Sequence, residues 1–210
     1  MTATLPGVHP IEHLRYLARA DSTEAARMVG ETATALGSLG NDPATLVLAV
    51  RRILERHASV GPMWWMCAHL LVAADVYDRA WDLADEVADD PTADVLDTAL
   101  TGIDRAEVAI VVLAAGSPDR LLVSPKMGAE ARVAAAAEQP VWLVTPVGTC
   151  LPTRYVEAVA EAAGPRLVEL DRAVVSRVIG PHGASADVRA ALRPTAPLAP
   201  ELLRVPTGAT

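Results

Sequence analysis

The sequence predicts an α/β protein, with an N-terminal helical bundle followed by a small Rossmann-like domain built on a mostly parallel sheet. Three observations lead there. Residues 108–113 and 141–144 are short, β-branched apolar runs bounded by Gly or Pro, the pattern of buried strands. An Ala-rich stretch at 128–138 lies between them and reads as a helix, so the two strands run parallel with both sheet faces covered. Five or six helical segments precede the first of these strands. We place the helical domain at residues 1–75 and the sheet domain at 76–210, the latter ending in a Pro-rich tail from Pro194.

The helices take their limits from capping and periodicity. Pro10 suits a first helical position, and Ile11, Leu14 and Leu17 make one stripe. Asp21 with Glu24 forms a capping-box pattern for a second helix through Ala35, closed by Gly37. Asp42-Pro43 is an N-cap followed by Pro at N1, and Leu46, Val47, Val50, Ile53 and Leu54 then fall on one face. Arg51, Arg52 and Arg56 lie largely outside that stripe, as on a solvated surface. Gly61-Pro62 opens a segment holding Trp64, Trp65, Met66 and Cys67, a cluster typical of a core or an interface. Further helices are predicted over 79–88 and 92–100, separated by Asp90-Pro91.

Composition narrows the functional classes. The 210-residue chain is 51% hydrophobic, yet no apolar run approaches the roughly 18 residues that cross a bilayer, and the N-terminus shows no signal pattern. Its two cysteines, Cys67 and Cys150, are far apart and form no CxxC pair, which fits a reducing compartment and gives no metal site. We expect a cytoplasmic protein with no metal and no cofactor. The net charge of −8 argues against direct nucleic-acid binding, which needs clustered Lys and Arg. His69 has no Ser or Asp placed to make a triad with it.

In parallel sheets ligands sit beyond the carboxyl ends of the strands, so the candidate surface is residues 114–118, 124–128 and 145–150. Within it, Lys126 breaks the habit of the chain, whose other permanently basic side chains are all Arg. An ammonium is a compact point charge suited to a phosphate or carboxylate. We read Lys126 as a loop residue at a strand terminus. Farther on, 152–163 is predicted as a helix, 166–170 as a fourth strand, 179–185 as a loop and 187–192 as a short helix. The GPHGAS of that loop matches neither a dinucleotide fingerprint nor a P-loop.

Pro125-Lys126-Met127-Gly128, the Ala-rich helix, and the strand and loop from Gln139 to Thr149 together resemble the translation initiation factor 2B regulatory subunits. Related to these are two isomerases, of methylthioribose 1-phosphate and of ribose 1,5-bisphosphate. Lys126 and Gly128 match the family's Asn-Lys-x-Gly turn, with Pro125 in place of its Asn. The resemblance implies a homodimer joined through the sheet domain, with a phosphorylated small molecule bound by Lys126, Gly128, Gly148 and Thr149 and flanked by Ala115 and Gly116. Ala115 stands where the isomerases carry a catalytic Asp, and neither Cys67 nor Cys150 reproduces the loop of their catalytic Cys. The chain is also shorter than the family. We therefore expect no catalytic residues, and a regulatory or ligand-sensing module for a phosphorylated sugar or nucleotide. Two alternatives are an isomerase-like enzyme using Cys150 or Asp119, and a structural assembly module with a vestigial pocket.

Overall fold

The structure, a computed structural model, describes residues 25–39 and 42–203. The first expected helix, with its Ile11, Leu14 and Leu17 stripe, and the Asp21–Glu24 cap lie outside the described residues. The architecture is α/β, helical in its N-terminal part and followed by a mostly parallel four-stranded sheet.

The helical part contains α1 (Ala25–Gly37), α2 (Pro43–Arg56), α3 (Gly61–Val72) and α4 (Val76–Ala88). Asp42 caps α2, accepting from the Ala44 N–H at 3.1 Å and the Thr45 hydroxyl at 2.6 Å, and Leu46, Val50, Ile53 and Leu54 are buried. Apart from His69, α3 is apolar on every face, and a helix of that kind belongs inside. It touches α1, α2, α4 and a helix of the sheet half, and Trp64 Nε1 donates to the Ala58 carbonyl at 3.1 Å. The Trp64, Trp65, Met66 and Cys67 cluster is thus core of one chain rather than interface. α4 falls in the region expected to belong to the sheet domain, yet it lies antiparallel along α1: Gly37 meets Ala80, and Gly30 meets Ala84.

α5 (Thr92–Ala99) leads to β1 (Ala109–Val112), and the main sheet has the order β1, β4 (Val141–Val144), β6 (Val175–Gly180), β7 (Gly183–Ser185). The first three are parallel, and β7 returns antiparallel. α6 (Pro125–Ala136) covers one face through Ala131 and Ala134 against Val111 and Leu143. On the other face α5 supplies Val95, Leu96 and Ala99 against Trp142, Val144 and Ile179.

Several sequence expectations need correction. The fourth strand expected at 166–170 lies outside the parallel sheet: β5 (Val168–Leu170) pairs antiparallel with β3 (Leu121–Val123), which pairs antiparallel with β2 (Ala115–Gly116), in a second, three-stranded sheet. Nor is 179–185 a loop. It holds the end of β6, a two-residue turn at Pro181-His182, and β7. Arg177 interrupts the apolar run of β6 and hides the strand in the sequence, while in the fold its guanidinium lies 4.7 Å over the Trp142 ring. Lys126 is helical, because Ser124 caps α6 and Pro125 takes its first position. The tail after Pro194 is not wholly irregular either. After α7 (Thr153–Ala163) and the short α8 (Val188–Ala191) it reaches α9 (Pro200–Leu203), held by the Tyr155 hydroxyl, which bonds to the Pro197 carbonyl at 3.1 Å.

Candidate functional site

Two loops meet beyond the carboxyl ends of β1 and β4, and backbone hydrogen bonds stitch them together. Gly116 N–H donates to Thr149 O at 2.9 Å, and Leu151 N–H donates to Gly116 O at 2.8 Å. The second loop is fixed internally by Thr149, whose N–H and hydroxyl both donate to Pro146 O, at 3.1 and 2.7 Å. Asp90 holds it from outside, its carboxylate accepting from Val147 N–H at 2.8 Å. Sequence reading treated Asp90 only as a helix breaker. Its second role depends on a contact 57 positions away that no local pattern reveals.

The start of α3 closes over this edge. Gly61 N–H donates to the Ala114 carbonyl at 3.0 Å. Gly148, at φ +81°, approaches Pro62 and Trp65 so closely that a β-carbon would lie 2.9 Å from Pro62 Cα. Ala115 is fully buried in the core shared with the helices. The structure thus brings Ala115, Gly116, Gly148 and Thr149 together, with Gly148 facing α3 and both Thr149 donors bonded to the Pro146 carbonyl.

Lys126 and Gly128 stand on α6. A β-carbon on Gly128 would meet Val168, so this glycine serves the packing of α6 on β5. Lys126 lies in the first turn of α6 with its side chain 79% exposed, and its ammonium is 3.9 Å from Glu130. In that turn Ser124 Oγ accepts from Met127 N–H at 3.3 Å, Ser124 O accepts from Gly128 N–H at 2.9 Å, and Pro125 has no N–H. The backbone N–H of Lys126 and its ammonium are the donors the cap leaves over.

Both cysteines are free thiols. Burial pushes Cys67 far up, beyond any range where it ionises. Cys150 is raised to about 11, chiefly by burial, with the Thr149 hydrogen bond opposing. Asp119, on the β2–β3 loop, pairs with Arg189 at 3.2 Å and lines an open groove of about 500 Å³ with Glu169, Asp171 and Arg172. That groove exists only because β3 pairs with β5, a pairing the sequence did not suggest. Among the described residues no group of three or more His, Cys, Asp or Glu side chains is placed to hold a metal ion. Nor is any helix among the described residues long and apolar enough to cross a membrane.

No family model and no curated protein matches the sequence. A solved structure does match: the translation initiation factor eIF-2B of Pyrococcus horikoshii OT3 superposes with a TM-score of 0.64 at 9% identity, covering 89% of this chain and 99% of that one. The fold is that of initiation factor 2B. A likeness of 9% identity carries shape and not chemistry, so any site on the initiation factor 2B fold has to be argued from this chain's own residues.

Proposed function

We propose that this chain is a non-catalytic, initiation factor 2B-like protein of the cytoplasm, acting as a homodimer that senses a phosphorylated sugar or nucleotide. The start of α6 carries the ligand half of the reading. An exposed ammonium, an N–H left over by the cap and the positive end of a 12-residue helix coincide there, and that combination favours an anion. The thiols support the non-catalytic half. Cys67 is sealed in the helical core, Cys150 stays protonated at neutral pH, and the fully buried methyl of Ala115 has no proton to give or take.

A thermal-shift series with inorganic phosphate, phosphorylated sugars and nucleotides tests the reading. Ligand at 100 times its dissociation constant adds about 2.7 kcal/mol of stability, a readily visible rise in melting temperature. No shift with any of these compounds overturns the sensing role and leaves a structural assembly module.

A further inference from the structure

We infer that the outer face of α4 docks a basic segment of another protein, its Arg or Lys side chains seated between an exposed aromatic pair and a row of aspartates. The inference stands apart from the anion site on α6. Six tryptophans and tyrosines lie among the described residues, and four of them, Trp64, Trp65, Trp142 and Tyr155, are buried. The other two stand together on α4: Tyr77 is 54% exposed, Trp81 is 41% exposed, and their rings meet edge to face with centroids 6.3 Å apart. Neither ring serves the core, since α4 buries Val76, Ala80, Leu83 and Val87 instead. Large aromatics left in water are the side chains that anchor partners, because they bring much contact area with little rotamer freedom to lose.

Helical periodicity sets the neighbours of the pair. At about 100° per residue Asp78, Asp82, Asp85 and Asp89 fall in a row alongside it, on the side away from α1, which packs at Ala80 and Ala84. All four are exposed, and among the described residues Asp78, Asp85 and Asp89 have no ion-pair partner. Glu86 and, more weakly, Asp82 are taken by Arg79, at 2.8 and 3.8 Å.

The distribution of charge selects the occupant. Residues 75–97 hold nine of the chain's 26 acidic side chains and one of its 18 Lys and Arg, a net charge of −8, and the whole chain carries −8. The remainder is therefore balanced, so a second copy has no net basic surplus to offer this face. Residues 1–24 have none either, with Arg15 and Arg19 against Glu12, Asp21 and Glu24. Such a face repels nucleic acid and anionic membrane and draws cations. A guanidinium or ammonium set over Trp81, with an aspartate beside it, combines a cation–π contact with an ion pair, and the chain already makes the first of these where Arg177 lies 4.7 Å over Trp142. The exposed rings favour carbon as well as charge, which a segment mixing Arg or Lys with Leu supplies and a bare polyamine does not.

Fluorescence anisotropy of a short labelled peptide of Arg, Lys and Leu, titrated with the full chain, tests this. The peptide should bind more weakly as salt rises, and its affinity should fall about tenfold or more in Trp81→Ala and in the Asp78→Asn, Asp85→Asn double variant, both with unchanged circular dichroism. A second measurement needs no variant. Trp81 is the one exposed tryptophan among the described residues, so the unlabelled peptide should shift the tryptophan emission of the unmodified chain to the blue. Variants that bind as the unmodified chain does, an emission the peptide leaves unchanged, or equal binding of spermine or of the same peptide with Glu for Arg and Lys, overturn the proposal. No binding at all, as when residues 1–24 already cover the face, overturns it too.

Discussion

Lys126 is the residue on which the ligand reading turns. It lies in the exposed first turn of α6 with a weak i,i+4 partner, so removing its side chain disturbs little packing. Lys126→Ala should abolish the thermal shift given by a phosphorylated ligand while changing unliganded stability by no more than about 0.5 kcal/mol. His69 offers a second residue-scale test. Its Nε2 faces the Thr195 carbonyl at 3.2 Å and its Nδ1 faces Arg79 Nη2 at 3.3 Å, an arrangement that suits the neutral ring. Burial, then the Arg79 charge, lower its pKa, with the Thr195 bond and Glu86 opposing. The unfolded chain therefore takes up this proton first. The contribution is whole above the ordinary His value and is lost as pH falls through the lower folded value. Denaturant midpoints should fall between about pH 7.5 and 5.5 in the unmodified chain, and this part of the slope should vanish in His69→Gln.

Among the elements, α3 does most to hold the halves together. Its first residue donates to Ala114 O at the end of β1, its second supports Gly148, and its tryptophans fill the core. Gly61 is needed there for clearance, since a β-carbon would run into the Ala114 carbonyl oxygen. Gly61→Ala must part α3 from the sheet edge and should cost about 1–3 kcal/mol, read as a lower urea midpoint with little change in m. A midpoint equal to that of the unmodified chain would show that the two halves have slack between them.

For the molecule as a whole, one core runs through both halves: α3 packs with Ala115, Leu122 and the Tyr155, Val156 and Val159 face of α7. The carboxyl edge of the sheet is therefore roofed by a helix over Gly148 and Ala114, and the outward-facing cation is on α6 instead. A proton transfer at a sugar carbon needs an acid and a base at the reacting centre, and neither thiol is placed or ionised to supply one. The purified protein should turn over neither methylthioribose 1-phosphate nor ribose 1,5-bisphosphate. A product of either, formed by protein with Cys67→Ser and Cys150→Ser, would refute the non-catalytic reading.

Much of the local structure was written in the sequence. Asp42-Pro43 and the stripe from Leu46 to Leu54 define α2, the Trp64, Trp65, Met66 and Cys67 cluster reads as core or interface and is core, and the β-branched runs at 108–113 and 141–144 contain the parallel pair β1 and β4, with β1 at the sheet's edge. These signals are local, because caps and periodicities are properties of neighbours in the chain. The tertiary structure decided what depends on distant partners. β3 reads as one more apolar strand, and only its pairing with β5 sets it in a separate sheet. β6 was concealed by Arg177, a charge acceptable there because the Trp142 ring lies beneath it. Gly128 and Gly148 look alike in sequence as glycines of ligand loops, yet one makes room for Val168 and the other for Pro62 and Trp65. A glycine records that something approaches closely; what approaches depends on how the chain folds back upon it.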